Sequence, residues 1–285
     1  MIIDSHSHAW PRWPYQPPVP DDGRGAVEQL LWEMDQNQVD RAVIVCARID
    51  RNADNNEYVA EAVERHPARL VQFADVDCRW SAEYHTAGAA DRLRALADRI
   101  PVAGVTHYVA AENDGWFRTA EGIAFFGAAA ERNLVMSLAA SPAWQEDIQL
   151  LARRFPNLPI LCHHLAGIGG WKGGRPDGLR RVLAGTSLPN LMVKVSGFYY
   201  GSERPCEYPH SEALWIVRAL YEALGPHRLC WGSDYPVVRR ALTYRQAIEA
   251  FRTHCAFVAP ADSEAILGGT LDAVLRARSP NGGMR

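Results

Sequence analysis

The residues best suited to chemistry come at the start of the chain, as Asp4-Ser5-His6-Ser7-His8. On a strand, alternate side chains share a face, so Asp4, His6 and His8 point the same way. Two imidazoles at this spacing converge on one metal ion or one substrate oxygen. A bare His-x-His pair is common on surfaces; its place at the end of an N-terminal strand lifts it above chance. The second group is His163-His164, in PILCHHLAG. Neighbours on a strand face opposite sides, so only one should point inward, and His164, which precedes a small-residue turn, is taken as that one. A core histidine bonded to backbone is the plain alternative. The third group is WGSDYP, residues 231–236, with Asp234 between an apolar run and a proline turn. A carboxylate there is poorly solvated unless it binds a metal, pairs with a histidine or acts as a base. A turn or helix-cap aspartate is the ordinary alternative.

These groups lie far apart in the chain, so the elements between them must bring them together. Eight β-rich apolar runs read as strands: Ile2–Ser5, Arg41–Ala47, Leu70–Val76, Val102–Tyr108, Leu134–Ala139, Ile160–His164, Leu191–Ser196 and Leu229–Ser233. They start roughly 30 residues apart, room for a helix and two loops each, which predicts a parallel sheet covered by helices. Eight units close a (β/α)8 barrel of the TIM type; an open doubly wound sheet is the alternative. Strands one and eight are neighbours in a closed barrel, so His6, His8, His164 and Asp234 can meet at its mouth. Helix starts are marked by an expected capping box at Asp54–Glu57, by Ser141-Pro142 and by Thr243 with Gln246. Ala261–Arg278 reads as a closing helix. Two loops break the rhythm, the proline-rich 9–22 after strand one and the aromatic 197–209 after strand seven. In a barrel both lie on the catalytic face and partly cover a pocket.

The chain has 285 residues, 48% hydrophobic and 22% charged, with Lys plus Arg 30 against Asp plus Glu 33 and a net charge of −3. One barrel domain over residues 1–285 fits this length. The charge offers no general attraction for nucleic acid or an anionic membrane, so a small-molecule substrate is expected. No run of 18 apolar residues occurs. Cys46, Cys78, Cys162, Cys206, Cys230 and Cys255 are scattered, which suggests reduced core thiols. With no basic, apolar leader at the start, a cytoplasmic protein is expected, with a homo-oligomer left open. No GxSxG elbow, GxGxxG or Walker loop is present, which disfavours an acyl-serine intermediate or a nucleotide cofactor.

The pieces IDSHSHAW (3–10), CHHLAG (162–167), NLMVKVSGF (190–198), WGSDYPV (231–237) and ILGGT (266–270) together resemble the amidohydrolase superfamily. The likeness is to its amidohydrolase 2 branch and, within that, to sugar-lactone and 2-pyrone-4,6-dicarboxylate lactonases. The resemblance implies a distorted (β/α)8 barrel in which Asp234 takes a proton from an attacking water and His6, His8 and His164 line the site. In VKVSG, Lys194 and Ser196 share a face; an inward Lys194 would hold a substrate carboxylate or the lactone carbonyl, or else pair with a buried acid. Trp10, Trp13, Trp116 and Trp171 fall in presumed loops where rings can pack on a sugar. Arg48, Arg79, Arg118, Arg175 and Arg204 fall in similar places and suit carboxylates.

The sequence also departs from that pattern. Metal-dependent relatives usually carry a histidine at the end of strand five, where this chain reads LVMSLAA, with Ser137 or a neighbour in its place. Lactonase relatives read GVR in strand four, and this chain reads GVTHY, with His107 close by as a substrate contact. The expectation is therefore either no required cofactor or one divalent metal, zinc first, held by His6, His8 and Asp234. The leading reading is hydrolysis of a sugar or carboxylated lactone. A metal-dependent non-oxidative decarboxylase, a metal-dependent deoxyribonuclease and a non-catalytic degenerate barrel are the alternatives.

Overall fold

The computed structural model describes residues 1–12, 14, 22–170, 173–202, 204 and 207–278. Eight parallel strands run in sequence order: β1 (Ile3–Ser7), β2 (Arg41–Val45), β3 (Leu70–Asp75), β4 (Gly104–Tyr108), β5 (Val135–Ala139), β6 (Ile160–Cys162), β7 (Leu191–Val195) and β8 (Leu229–Trp231). Helices follow them in turn: α1 (Val27–Gln36), α2 (Asn55–Arg65), α3 (Ala89–Arg99), α4 (Ala120–Glu131), α5 (Gln145–Arg154), α6 (Arg175–Leu183), α7 (Ser211–Leu224) and α8 (Tyr244–Arg252). This is a (β/α)8 barrel, as the strand spacing predicts. It is nearly closed: β1 meets the chain beyond β8 at the mouth, where the His8 amide donates to the Tyr235 carbonyl (2.7 Å) and the Asp234 amide to that of His6 (3.0 Å).

Alternation sorts the strand residues into two layers. Ile3, Val43, Val45, Val71, Phe73, Val135, Leu161, Met192 and Cys230 fill the lower barrel with Leu271 and Leu275. Their partners on the outer faces, among them Ile44, Val105, Leu138, Val193 and Trp231, pack under the helices. The expected closing helix is Pro260–Glu264, a π turn over Ala265–Gly269, and Thr270–Arg276. Gly268 allows it to seat on β1, for a Cβ there would lie 2.8 Å from the Met1 carbonyl oxygen and 2.9 Å from the Ile3 nitrogen.

β1 runs two residues past the expected Ser5, to Ser7, but two later strands stop short of the expectation just before their site residues. β6 stops at Cys162 and β8 at Trp231, which frees the following residues from pleat geometry. In β1 the pairing register shifts between Asp4 and Ser7, and this corrects one expectation: Asp4 leaves the His6/His8 face. Its carboxylate accepts instead from the Ser233 hydroxyl (2.7 Å) and amide (3.1 Å) and the Tyr244 hydroxyl (3.1 Å), tying β1 to the chain after β8. Burial pushes its pKa up to about 6.

The Thr243–Gln246 capping box forms, and Ser141 caps its turn through the Ala143 amide. The box expected at Asp54 does not, since Asp54 bonds Arg12 (2.8 Å). The next two residues do more. Asn55 accepts from the Ala47 amide (2.8 Å) and donates to the Ala9 carbonyl (2.5 Å), and Asn56 brackets the backbone of Asp75 (both contacts 2.9 Å). Together they fasten the upper ends of three strand segments. Cys46, Cys78, Cys162, Cys230 and Cys255 are buried free thiols; Cys206 lies outside the described residues, as does most of the 9–22 loop.

Candidate active site

His6 and His8 leave β1 on the inner face, and Asp234 follows β8 in the left-handed region at φ 61°. Gly232 permits this close approach of the two ends: a Cβ there would stand 2.9 Å from that of His6. Beyond β6 the chain winds through a left-handed turn, with φ of 46°, 54° and 55° at His164, Leu165 and Ala166. Such a run is rare in residues other than glycine, and strain of this kind gathers at functional sites. The turn brings His164 over the barrel mouth. His163, the last residue to follow strand alternation, points inward as well. The one-inward expectation is therefore corrected: both histidines reach the interior, because the strand ends before the second of them.

The result is a ring of imidazoles around one carboxylate. Asp234 Oδ1 lies 3.5 Å from His6 Nε2, 3.8 Å from His8 Nε2 and 3.7 Å from His164 Nε2. His6 Nε2 and His8 Nε2 are 3.1 Å apart. The other ring nitrogens are anchored. His8 Nδ1 donates to the Val45 carbonyl, His6 Nδ1 faces Lys194 Nζ at 3.1 Å, and His164 Nδ1 faces Ser196 Oγ at 3.0 Å. Each anchor turns an Nε2 toward Asp234, the arrangement by which outer partners aim histidine ligands. Asp234 Oδ2 accepts from the hydroxyls of Tyr199 (2.7 Å) and Tyr200 (2.9 Å), while Oδ1 is buried without a hydrogen-bond partner.

Burial sets the charges. It pushes the pKa of His8 down to about 4 and that of His164 to about 3, and those of His6 and His163 well below normal, with the Lys194 charge adding to the effect. At neutral pH the four rings are neutral and keep a lone pair each. Burial raises the Asp234 pKa, opposed by His8, the two tyrosine hydroxyls and Lys194. A carboxylate whose pKa is raised is a stronger base when ionised.

This donor set fits a divalent metal. Ligand atoms on a tetrahedral zinc at about 2.0–2.1 Å stand roughly 3.3–3.4 Å apart, close to the 3.1, 3.5 and 3.8 Å within the His6, His8 and Asp234 group. A second gathering, His6, His163 and His164, shares His6. The missing strand-five histidine is replaced by a polar relay: Ser137 Oγ lies 2.6 Å from His163 Nε2 and accepts from Lys194 Nζ at 2.7 Å.

Lys194 itself is 0% exposed, beneath His6, and burial pushes its pKa down to about 7. Among the described residues it has no acid partner and does not line the cavity; its contacts are His6 and Ser137. Trp10, 1% exposed, stacks on His8 at 4.9 Å and donates to the Ala47 carbonyl (2.7 Å), again a support and not a lining residue. His107 is a correction. It points out of the barrel, with Nδ1 on the Val76 carbonyl (3.0 Å) and its ring against Phe117 and Phe125. Tyr108, one residue on, faces inward with its hydroxyl 3.4 Å from His8 Nε2.

The cavity above the histidines measures about 430 Å³ and is lined by Tyr108, His163, His164 and Tyr200, with Arg79 and Arg175 among the residues around it. Arg118 is taken up by Glu146 and Asp147, Arg48 by the Ala53 carbonyl and Arg204 by Glu207. Trp116 stacks on His85 at 4.2 Å; Trp13 and Trp171 lie outside the described residues. Sequence reasoning passed over Tyr108, Tyr199 and Tyr200, and it set His163 facing away from the site. Tyr199 and Tyr200 belong to the aromatic loop after β7, which had already marked itself as a cover.

The sequence profile of the amidohydrolase family matches residues 3–276. The chain belongs to that family. A relative, the L-fucono-1,5-lactonase of Burkholderia ambifaria, is 26% identical over 253 residues, 84% of this chain and 81% of that one. Among solved structures, an amidohydrolase from Burkholderia multivorans with bound zinc superposes with a TM-score of 0.73 at 19% identity, covering 96% of this chain and 99% of the other. A probable 2-pyrone-4,6-dicarboxylic acid hydrolase from Acinetobacter baumannii with bound citric acid gives 0.74 at 21% identity, covering 96% and 98%. The chain is thus an enzyme of the amidohydrolase fold, with a His/Asp site that accommodates an optional divalent metal. No described helix is long and apolar enough to cross a membrane.

Proposed function

We propose that this amidohydrolase opens a lactone ring, of a sugar or carboxylated lactone, by direct attack of water. The observation that carries the reading is Asp234 Oδ1: a buried carboxylate oxygen with no hydrogen bond, at the focus of three imidazole nitrogens. The lactonase relative and the pyrone hydrolase neighbour support the substrate class.

In this reading Oδ1 removes a proton from water as the water oxygen bonds to the lactone carbonyl carbon. Tyr199 and Tyr200 hold Oδ2, so the free oxygen is the one presented to water. His164, its Nδ1 accepting from Ser196, donates from Nε2 to the oxyanion that forms, a contact that strengthens as charge builds. The ring C–O bond then breaks, and the proton on Asp234 passes to the departing alkoxide oxygen. The product is a hydroxy acid, which loses its own proton to solvent. A divalent metal held by His6, His8 and Asp234 would polarise the carbonyl as a Lewis acid. An ester is activated enough that the protein groups alone are a workable set.

A panel of aldonolactones and pyrone dicarboxylates, followed by proton release with and without chelator, tests this. Ring opening with one acid released per turnover is expected. Failure to open any lactone, in both the chelated and the zinc-supplemented enzyme, would contradict it.

A further inference from the structure

The walls of the cavity identify the substrate more narrowly, given that the site is a lactonase. Three of its polar lining residues adjoin the Asp234 site: the Tyr108 hydroxyl reaches His8, and His164 and the Tyr200 hydroxyl reach Asp234 itself. Of the remaining described wall, Val109, Ala139, Leu165, Phe198, Ala213 and Ile216 present apolar side chains. Two polar residues on that wall are already engaged. Ser141 Oγ donates to the Ala111 carbonyl (2.8 Å) and accepts from the Ala143 amide (3.3 Å). Arg175 is held by Glu212 (2.6 Å) and the Gly201 carbonyl. Only Arg79, exposed at the rim, has a side chain with no hydrogen bond or ion pair among the described residues.

A polyhydroxylated ring would bring several hydroxyls against methyl and phenyl groups, and each would lose its water without a replacement. An apolar ring substituent would displace that water favourably. A guanidinium at the rim matches one carboxylate. We infer that the preferred substrate is an amphipathic lactone, its apolar body in the cavity and a single anionic group at Arg79, and not a sugar lactone.

The test compares lactones of one ring size on the purified full chain: an aldonolactone, deoxygenated analogues with alkyl substituents of increasing length, and the same analogues ending in a carboxylate. The expected kcat/KM rises about fourfold per added methylene until the cavity is full. Arg79→Gln should cost about tenfold on the carboxylated series and nothing on the neutral one. Ile216→Asn should flatten the dependence on chain length; Ala139→Ser, a smaller change at the same wall, serves if that variant does not fold. A preference for the aldonolactone overturns the inference and leaves the lactonase reading standing. If no lactone is opened, calorimetric titration with the corresponding carboxylated alkyl lactam decides. Binding weakened by Arg79→Gln supports the amphipathic cavity, and no binding to the wild-type chain overturns it.

Discussion

Two histidine clusters sit on opposite faces of the same sheet. Outside the barrel, His107 bonds the Val76 carbonyl, His85 bonds Asp114 (2.6 Å), and their Nε2 atoms meet at 3.2 Å. Every ring nitrogen has a partner, and the rings stack among Tyr84, Trp116 and Phe125. Inside, the Nδ1 atoms of His6, His8 and His164 are likewise anchored, but their Nε2 atoms converge on a carboxylate oxygen that accepts no hydrogen bond. The contrast shows what marks a site. Histidines that satisfy one another and pack on aromatics are architecture. Histidines arranged around an unused buried acceptor mark a candidate site.

Substituting one member of each cluster should separate them most widely. His6→Gln is expected to lower kcat/KM by about 10²–10⁴-fold, whereas His107→Phe should leave it essentially unchanged and alter only the melting temperature. Equal losses from both would erase the distinction.

A smaller effect concerns the carboxylate's own support. Tyr199→Phe removes a hydrogen bond that stabilises ionised Asp234 and so raises a pKa that burial has already lifted. In the proposed mechanism the base is the carboxylate, lost as pH falls through its pKa. The acid limb of the pH–rate profile should therefore move up by about one unit, roughly tenfold in rate on that side. An unmoved limb would mean that Asp234 is not the titrating base.

The outer cluster predicts acid lability. Burial lowers the His107 pKa to about 4, so the folded protein prefers the neutral ring. Its contribution to stability is complete above the unfolded value of 6.5 and fades as pH falls toward 4. His8, lowered to about 4, adds in the same direction. Thermal melting should drop across this window, and less steeply in His107→Phe. The smallest expected change is Arg12→Ala, which removes a half-exposed pair with Asp54 and should cost no more than about 1 kcal/mol in denaturant unfolding.

The barrel was readable in the sequence because each strand is a short run of β-branched and apolar residues, and burial on both faces writes that pattern plainly. His6, His8, His164 and Asp234 were readable because they stand just past such runs. What was hidden lies where the pleat stops being a guide. The register shift in β1 takes Asp4 off the histidine face, and the left-handed turn after Cys162 lets adjacent histidines share one cavity. His107 was misplaced for the opposite reason. Alternation does hold through β4, and carried forward from Gly104 and Thr106 it puts Tyr108 inward. Tyr199 and Tyr200 carry no spacing signal; only the fold over Asp234 gives their hydroxyls a role.

The direct test of the account is kcat at saturating lactone for Asp234→Asn, beside wild type, with both proteins melting at similar temperatures. A fall of about 10²–10⁴-fold with little change in KM is the predicted outcome for loss of a general base. Wild-type turnover by the folded variant would contradict it.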